Sequence, residues 1–161
     1  MPDLPNLKIL HISHFGNERL PDGGWERLVA LQTLELWRCT GLKSLPGGLA
    51  RLQSLENLLI KGCSKLESLE YLYIEEEDVG KLERLPGEEE GLGQLKKLNP
   101  LKVSNCKALG SLPHGLQHLA LLRVLNIIGC PLLSKRCNVG GEDWPKISHI
   151  PSISIDGERI Q

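Results

Sequence analysis

The sequence predicts a curved α/β solenoid. Stacked coils should lay a short parallel β-sheet on the concave face and leave loops, turns and short helices on the convex face. Three observations predict it. Leucine fills 33 of 161 positions. Only six residues carry large rings: three Trp, two Tyr and one Phe. An aliphatic pattern also recurs in register along the chain. A core built from many leucines and few rings is thin and made of repeated slots, because a compact globule of this size fills its centre with larger side chains.

Cysteine marks the repeat. Cys39, Cys63, Cys106 and Cys130 are separated by 24, 43 and 24 residues. Counting back from each Cys by 11, 8, 5 and 3 reaches Leu28, Leu31, Leu34 and Leu36; Leu52, Leu55, Leu58 and Ile60; Leu95, Leu98, Leu101 and Val103; and Leu119, Leu122, Leu125 and Ile127. All sixteen are aliphatic. The unit L-x-x-L-x-x-L-x-L-x-x-C-x-x-L is the leucine-rich-repeat signature. Well-formed copies run on to L-x-x-L-P, as at Leu42–Pro46 and Leu109–Pro113. A degenerate first copy uses Leu4, Leu7, Leu10 and Ile12, with Phe15 in the Cys place.

Each L-x-L core alternates, so it predicts a strand with two inward residues. Parallel strands are expected near 10–12, 34–36, 58–60, 101–103, 125–127 and 153–155. The upstream L-x-x-L spacing suits a turn or helical segment. One repeat cannot bury its own leucines, whereas stacked repeats can. Each buried leucine contributes about 1.5–3 kcal/mol before chain entropy is charged.

The 43-residue gap is five short of two periods. Leu66, Leu69, Leu72 and Ile74 fit the template with Glu77 in the Cys place, which predicts a degenerate strand at 72–74. Acid clusters at 75–78 and 88–90 read as solvated loops. Residues 70–90 hold nine acids against Lys81 and Arg84, whereas 91–137 hold seven bases and no acid. Such segregation fits either plain solubility or docking of an oppositely charged domain.

One domain is expected over 1–161: repeats at about 4–129, an irregular acidic insertion at about 70–91, and a C-terminal cap at about 130–161. Solenoid ends need caps. Trp144 reads as a lid over the last leucines. The N-terminal end carries no such device, which implies a piece of a longer chain or an exposed edge.

Several functions are excluded or disfavoured. Net charge is −1, so the whole chain is no polyanion binder, and no nucleic-acid partner is expected. No signal-peptide pattern or membrane-length apolar run occurs, so a cytoplasmic protein without a membrane partner is expected. His114 and His118 have helical i,i+4 spacing, yet no third ligand lies nearby, so no metal is assigned. Five cysteines, an odd count, argue against a disulfide framework, and Cys130 and Cys137 read as reduced cap residues. No nucleophile or paired-carboxylate motif appears, so neither an enzyme, a cofactor nor a small-molecule substrate is expected.

The concave face carries the candidate site. Residues flanking each inward pair point outward. The middle row reads His11, Glu35, Leu59, Tyr73, Lys102, Asn126 and Ser154. Trp37, Leu59, Lys61, Tyr71, Tyr73 and Lys102 are the expected protein-binding residues, with Lys61 placed over the Trp37 indole. Exposed rings grouped on one face make a protein hot spot. The competing reading has them covering the core through neighbour packing, or has the middle repeat out of register.

These repeats resemble those of plant intracellular immune receptors of the nucleotide-binding leucine-rich-repeat family. The tail, Cys130-Pro131-Leu132-Leu133, Arg136-Cys137 and Gly141-Glu142-Asp143-Trp144-Pro145-Lys146, is similar to the ending of coiled-coil-type members. The resemblance implies effector sensing and restraint of a nucleotide switch. Its implied partners are a pathogen effector, a guarded host protein, or the receptor's own nucleotide-binding module. No G-x-x-x-x-G-K-[ST] loop is present, so this chain is not itself that switch. A stand-alone repeat scaffold or substrate adaptor outside immunity is the alternative.

Overall fold

Two spacings in the sequence, two and three, build two kinds of backbone. A computed structural model describes residues 4–21, 23–69 and 92–161. Where leucines alternate, the chain is extended: β1 Ile9–Ser13, β2 Thr33–Trp37, β3 Asn57–Lys61, β4 Leu101–Ser104, β5 Val124–Ile128 and β6 Ser152–Ile155. These strands are parallel and follow chain order in one sheet. Leu34 pairs with Leu58, Leu58 with Leu101, Leu101 with Leu125, and Leu125 with Ile153. All six expected strands are present. A short β7, Glu158–Arg159, turns back antiparallel to β6 and was not foreseen.

Where leucines are three apart, the chain forms successive i→i+3 turns. Leu49 N–H donates to Pro46 O at 3.1 Å, Leu52 to Leu49 at 3.0 Å, and Leu55 to Leu52 at 3.0 Å. The same staircase climbs through Leu116, Leu119 and Leu122 at 3.3, 3.1 and 3.0 Å. A 3-10 turn has three residues per turn, so every third side chain faces the same way. That rule aligns Leu49, Leu52 and Leu55 in the core, where Leu42 and Leu45 are also buried. Short 3-10 segments at Gly47–Arg51, Leu92–Gln94 and His114–His118 line the convex side.

Cys39, Cys63, Cys106 and Cys130 are buried and free. Each thiol donates to the carbonyl two residues earlier, at 3.6, 3.9, 3.5 and 3.5 Å. A small weak donor at the strand's end satisfies a buried carbonyl while still packing as an apolar group. The backbone before each Cys is left-handed, with φ of 51° at Arg38, 71° at Gly62, 54° at Asn105 and 64° at Gly129. That twist aims the N–H along the stack: Arg38 N–H reaches Lys61 O at 2.7 Å, and Gly62 N–H reaches Ser104 O at 2.8 Å.

The middle of the chain departs from expectation. β3 pairs directly with β4. The 43-residue interval thus exceeds by 19 residues the 24-residue step from β1 to β2, β2 to β3 and β4 to β5. Parallel bridges link Ser44 to Ser68 and Ser68 to Ser111 on either side of the stretch between Leu69 and Leu92. The strand expected at 72–74 and both acid clusters lie outside the described residues.

The two ends differ. The inward Leu10 and Ile12 of β1 are half-buried, whereas their counterparts Leu34 and Leu36 are fully buried. At the other end, α1 (Pro131–Cys137) and α2 (Trp144–Ile147) cover the last coils. Trp144 packs half-buried against the core, as a lid would. What clamps the cap, however, is Asp143. Its carboxylate accepts Leu112 N–H at 2.8 Å, Arg136 Nε at 3.3 Å and Nη2 at 3.2 Å, and Lys146 Nζ at 2.9 Å. Lys146 also donates to Leu112 O at 2.6 Å. Burial pushes the Asp143 carboxyl up, but Arg136, the Leu112 N–H and Lys146 outweigh it and hold the group below the ordinary range.

Candidate functional site

Strand alternation delivers the outward residues as expected. Trp37, the last residue of β2, keeps 38% of its surface exposed although its neighbours Leu34 and Leu36 are fully buried. It pairs in the ladder with Lys61, whose Nζ lies 5.4 Å from the indole centroid. That is cation–π range. On the other flank, the His11 ring meets the indole edge-on at 5.0 Å and 66°. His11 Nδ1 donates to Glu35 Oε2 at 3.0 Å, so β1 and β2 are also tied across the face.

Leu59 is half-buried and pairs directly with Lys102, which is exposed. The middle row therefore runs His11, Glu35, Leu59, Lys102, Asn126, Ser154. Leu59 and Lys102 are direct ladder neighbours, and Tyr71 and Tyr73, also expected on this face, lie outside the described residues. Trp37, Leu59, Lys61 and Lys102 are thus brought together on β2, β3 and β4.

Sequence reasoning missed Arg38. It sits in the left-handed corner after Trp37, with its side chain laid against Gly62: a Cβ added at Gly62 would stand 3.5 Å from Arg38 Cγ. The signal was available as the residue before each Cys, where Gly62 and Gly129 accept positive φ freely and Arg38 does not. Trp25 was also overlooked. It is fully buried at the convex side of the second coil, with Nε1 donating to Pro21 O at 2.6 Å. A ring there is core, not site.

The other candidates fare as follows. His114 and His118 lie in a 3-10 segment, where residues four apart fall about 120° away from a shared face, so the helical i,i+4 geometry is not realised. Among the described residues, no group of three His, Cys, Asp or Glu is arranged to hold a metal. Burial, reinforced by Asp143, raises the Cys137 thiol to about 12. Hydrogen bonds among neighbouring sulfurs push Cys106 up and lower Cys63 and Cys130 to about 7, but all three thiols are fully buried. No helix among the described residues is long and apolar enough to cross a membrane.

A parallel solenoid with an open, side-chain-rich concave face defines the chain as a leucine-rich-repeat protein. The family described as R13L1/DRL21 LRRs matches residues 2–63. The chain is 35% identical over 126 residues to protein SUPPRESSOR OF npr1-1, CONSTITUTIVE 1 of Arabidopsis thaliana, covering 73% of this chain and 8% of that protein. It is 31% identical over 156 residues to disease resistance protein RPP8 of the same plant, covering 94% of this chain and 15% of that protein. Among solved structures, the leucine-rich repeat domain of the type III effector XCV3220 (XopL) aligns with a TM-score of 0.43 and 23% identity, over 80% of this chain and 43% of that one. The chain belongs with the leucine-rich-repeat regions of plant disease-resistance proteins, and it spans 8–15% of the length of these two plant relatives.

Proposed function

We propose that this chain is the recognition segment of a plant immune receptor and that it binds protein through its concave face. The observation carrying this is Trp37: a large ring held at the open face between Lys61 and His11, in a repeat of the disease-resistance type. Rings so placed give contact area at low entropic cost, and they concentrate binding energy. The partner is a pathogen effector, a guarded host protein, or the receptor's own nucleotide-binding module. The work is binding inside the cell, with no chemistry at the face.

Surface-resonance binding against purified members of those three partner classes tests the reading, using the wild-type chain and a Trp37→Ala, Lys102→Glu pair. At least one partner class should bind the wild type and lose tenfold or more with the pair. A partner that binds both forms equally uses another surface, and that result removes the concave face from the proposal.

A further inference from the structure

The charge on the concave face is uneven. On the outward positions of β1 to β4 and the corners after them, the basic side chains are Arg38, Lys61 and Lys102, beside the two histidines. The single acid there, Glu35, is engaged by His11 at 3.0 Å. On β5 and β6 the only acid at these positions, Asp156, gives Oδ1 to Gly129 N–H at 2.7 Å. Among the described residues, none of Arg38, Lys61 and Lys102 is in a salt bridge. Arg38 and Lys61 thus flank the exposed indole, Lys102 lies one strand beyond Lys61, and, among the described residues, the acids at these positions are already engaged.

Their spacing fits an extended ligand. Lys61 lies one strand over from Trp37, and Lys102 pairs with Leu59, two residues before Lys61. Lys61 and Lys102 are therefore displaced by roughly 5 Å across the sheet and roughly 7 Å along it. An extended chain repeats its side chains on one face at about the same 7 Å. Arg38 adds a planar fork that takes a carboxylate through two bonds. It also occupies a left-handed backbone position with φ of 51°, where Gly62 and Gly129 stand in other coils without that strain.

We propose that the face takes an acidic protein segment. An apolar side chain of that segment rests on Trp37, and carboxylates on either side of it meet Arg38, Lys61 and Lys102. This rests on the reading of the concave face as the protein-binding face, and it adds the chemistry of the partner.

The test uses fluorescein-labelled peptides of about a dozen residues sharing a central Leu-Phe pair, in three sets flanked by Asp/Glu, by Ser, or by Lys, followed by fluorescence polarisation. The acidic set should bind at least tenfold more tightly than the serine set and weaken as salt rises. Lys61→Gln and Arg38→Gly should each cost fivefold or more for the acidic set, and Arg38→Gly should leave the thermal midpoint unchanged or higher. Lys135→Gln, the same charge change on α1, should stay within twofold. Equal binding of serine- or lysine-flanked peptides overturns the inference alone, as does a Lys135→Gln loss equal to that of Lys61→Gln. Failure of all three sets to bind overturns the inference and the concave-face reading together.

Discussion

Replacing Asp143 by asparagine isolates the clamp that holds the C-terminal cap. The carboxylate has no exposed surface and collects four donors from Leu112, Arg136 and Lys146. The asparagine oxygen can keep the Leu112 N–H, but its NH2 must then face Arg136 or Lys146, both donors. Lys146, whose side chain is 11% exposed, keeps only Leu112 O at 2.6 Å. Breaking a buried charge pair costs about 3–5 kcal/mol, and the surviving backbone bonds place this case near 3 kcal/mol. For a chain of this size that lowers the thermal midpoint by about 6–12 °C. Coupling in a solenoid is between neighbours, so the loss should be local. Hydrogen exchange should quicken at Ile153 and Ile155 well before Leu34 and Leu36. Adding Lys146→Met removes the stranded ammonium and should recover about half of the loss. A drop below about 1 kcal/mol, or no recovery in the double variant, would refute the clamp.

Further outcomes follow from the same structure. Asp143 has a lowered pKa, so its stabilisation is complete above the ordinary value of 3.8 and is lost as pH falls through the folded value; acid titration should release the cap signals before those of β2. Cys137 has a raised pKa, so native stability should decline as pH climbs from 9.0 toward 12, and Cys137→Ala should flatten that alkaline arm. Gly93→Ala would set a Cβ 2.9 Å from Gly115 Cα, and the overpacked convex stack should lose about 1–3 kcal/mol by chemical denaturation. Trp37→Ala removes a partly exposed ring and its contacts with Lys61 and His11, so it should cost only about 1 kcal/mol; a loss of 3–5 kcal/mol would assign the ring to the core instead.

Much of the fold was legible because the repeat is written in the spacing. An alternation of two gives a strand, a spacing of three gives a 3-10 staircase, and cysteine marks where one hands over to the other. Trp37 and Lys61 were legible for the same reason: twenty-four residues apart, they must be ladder neighbours. The middle was not, because a 43-residue spacing gives no hint that β3 and β4 are direct ladder neighbours. Arg38 was hidden because its importance lies in a backbone twist, which has no hydropathy signature. The Asp143 clamp was hidden because its partners at 112, 136 and 146 follow no period.

Between β3 and β4 the chain runs 19 residues beyond the 24-residue step, yet Leu58 still pairs with Leu101 and Lys61 with Ser104, in the register that the 24-residue coils keep. A ladder that keeps its register across added chain length fixes where Leu59, Lys61 and Lys102 stand relative to one another, however many residues separate them along the chain.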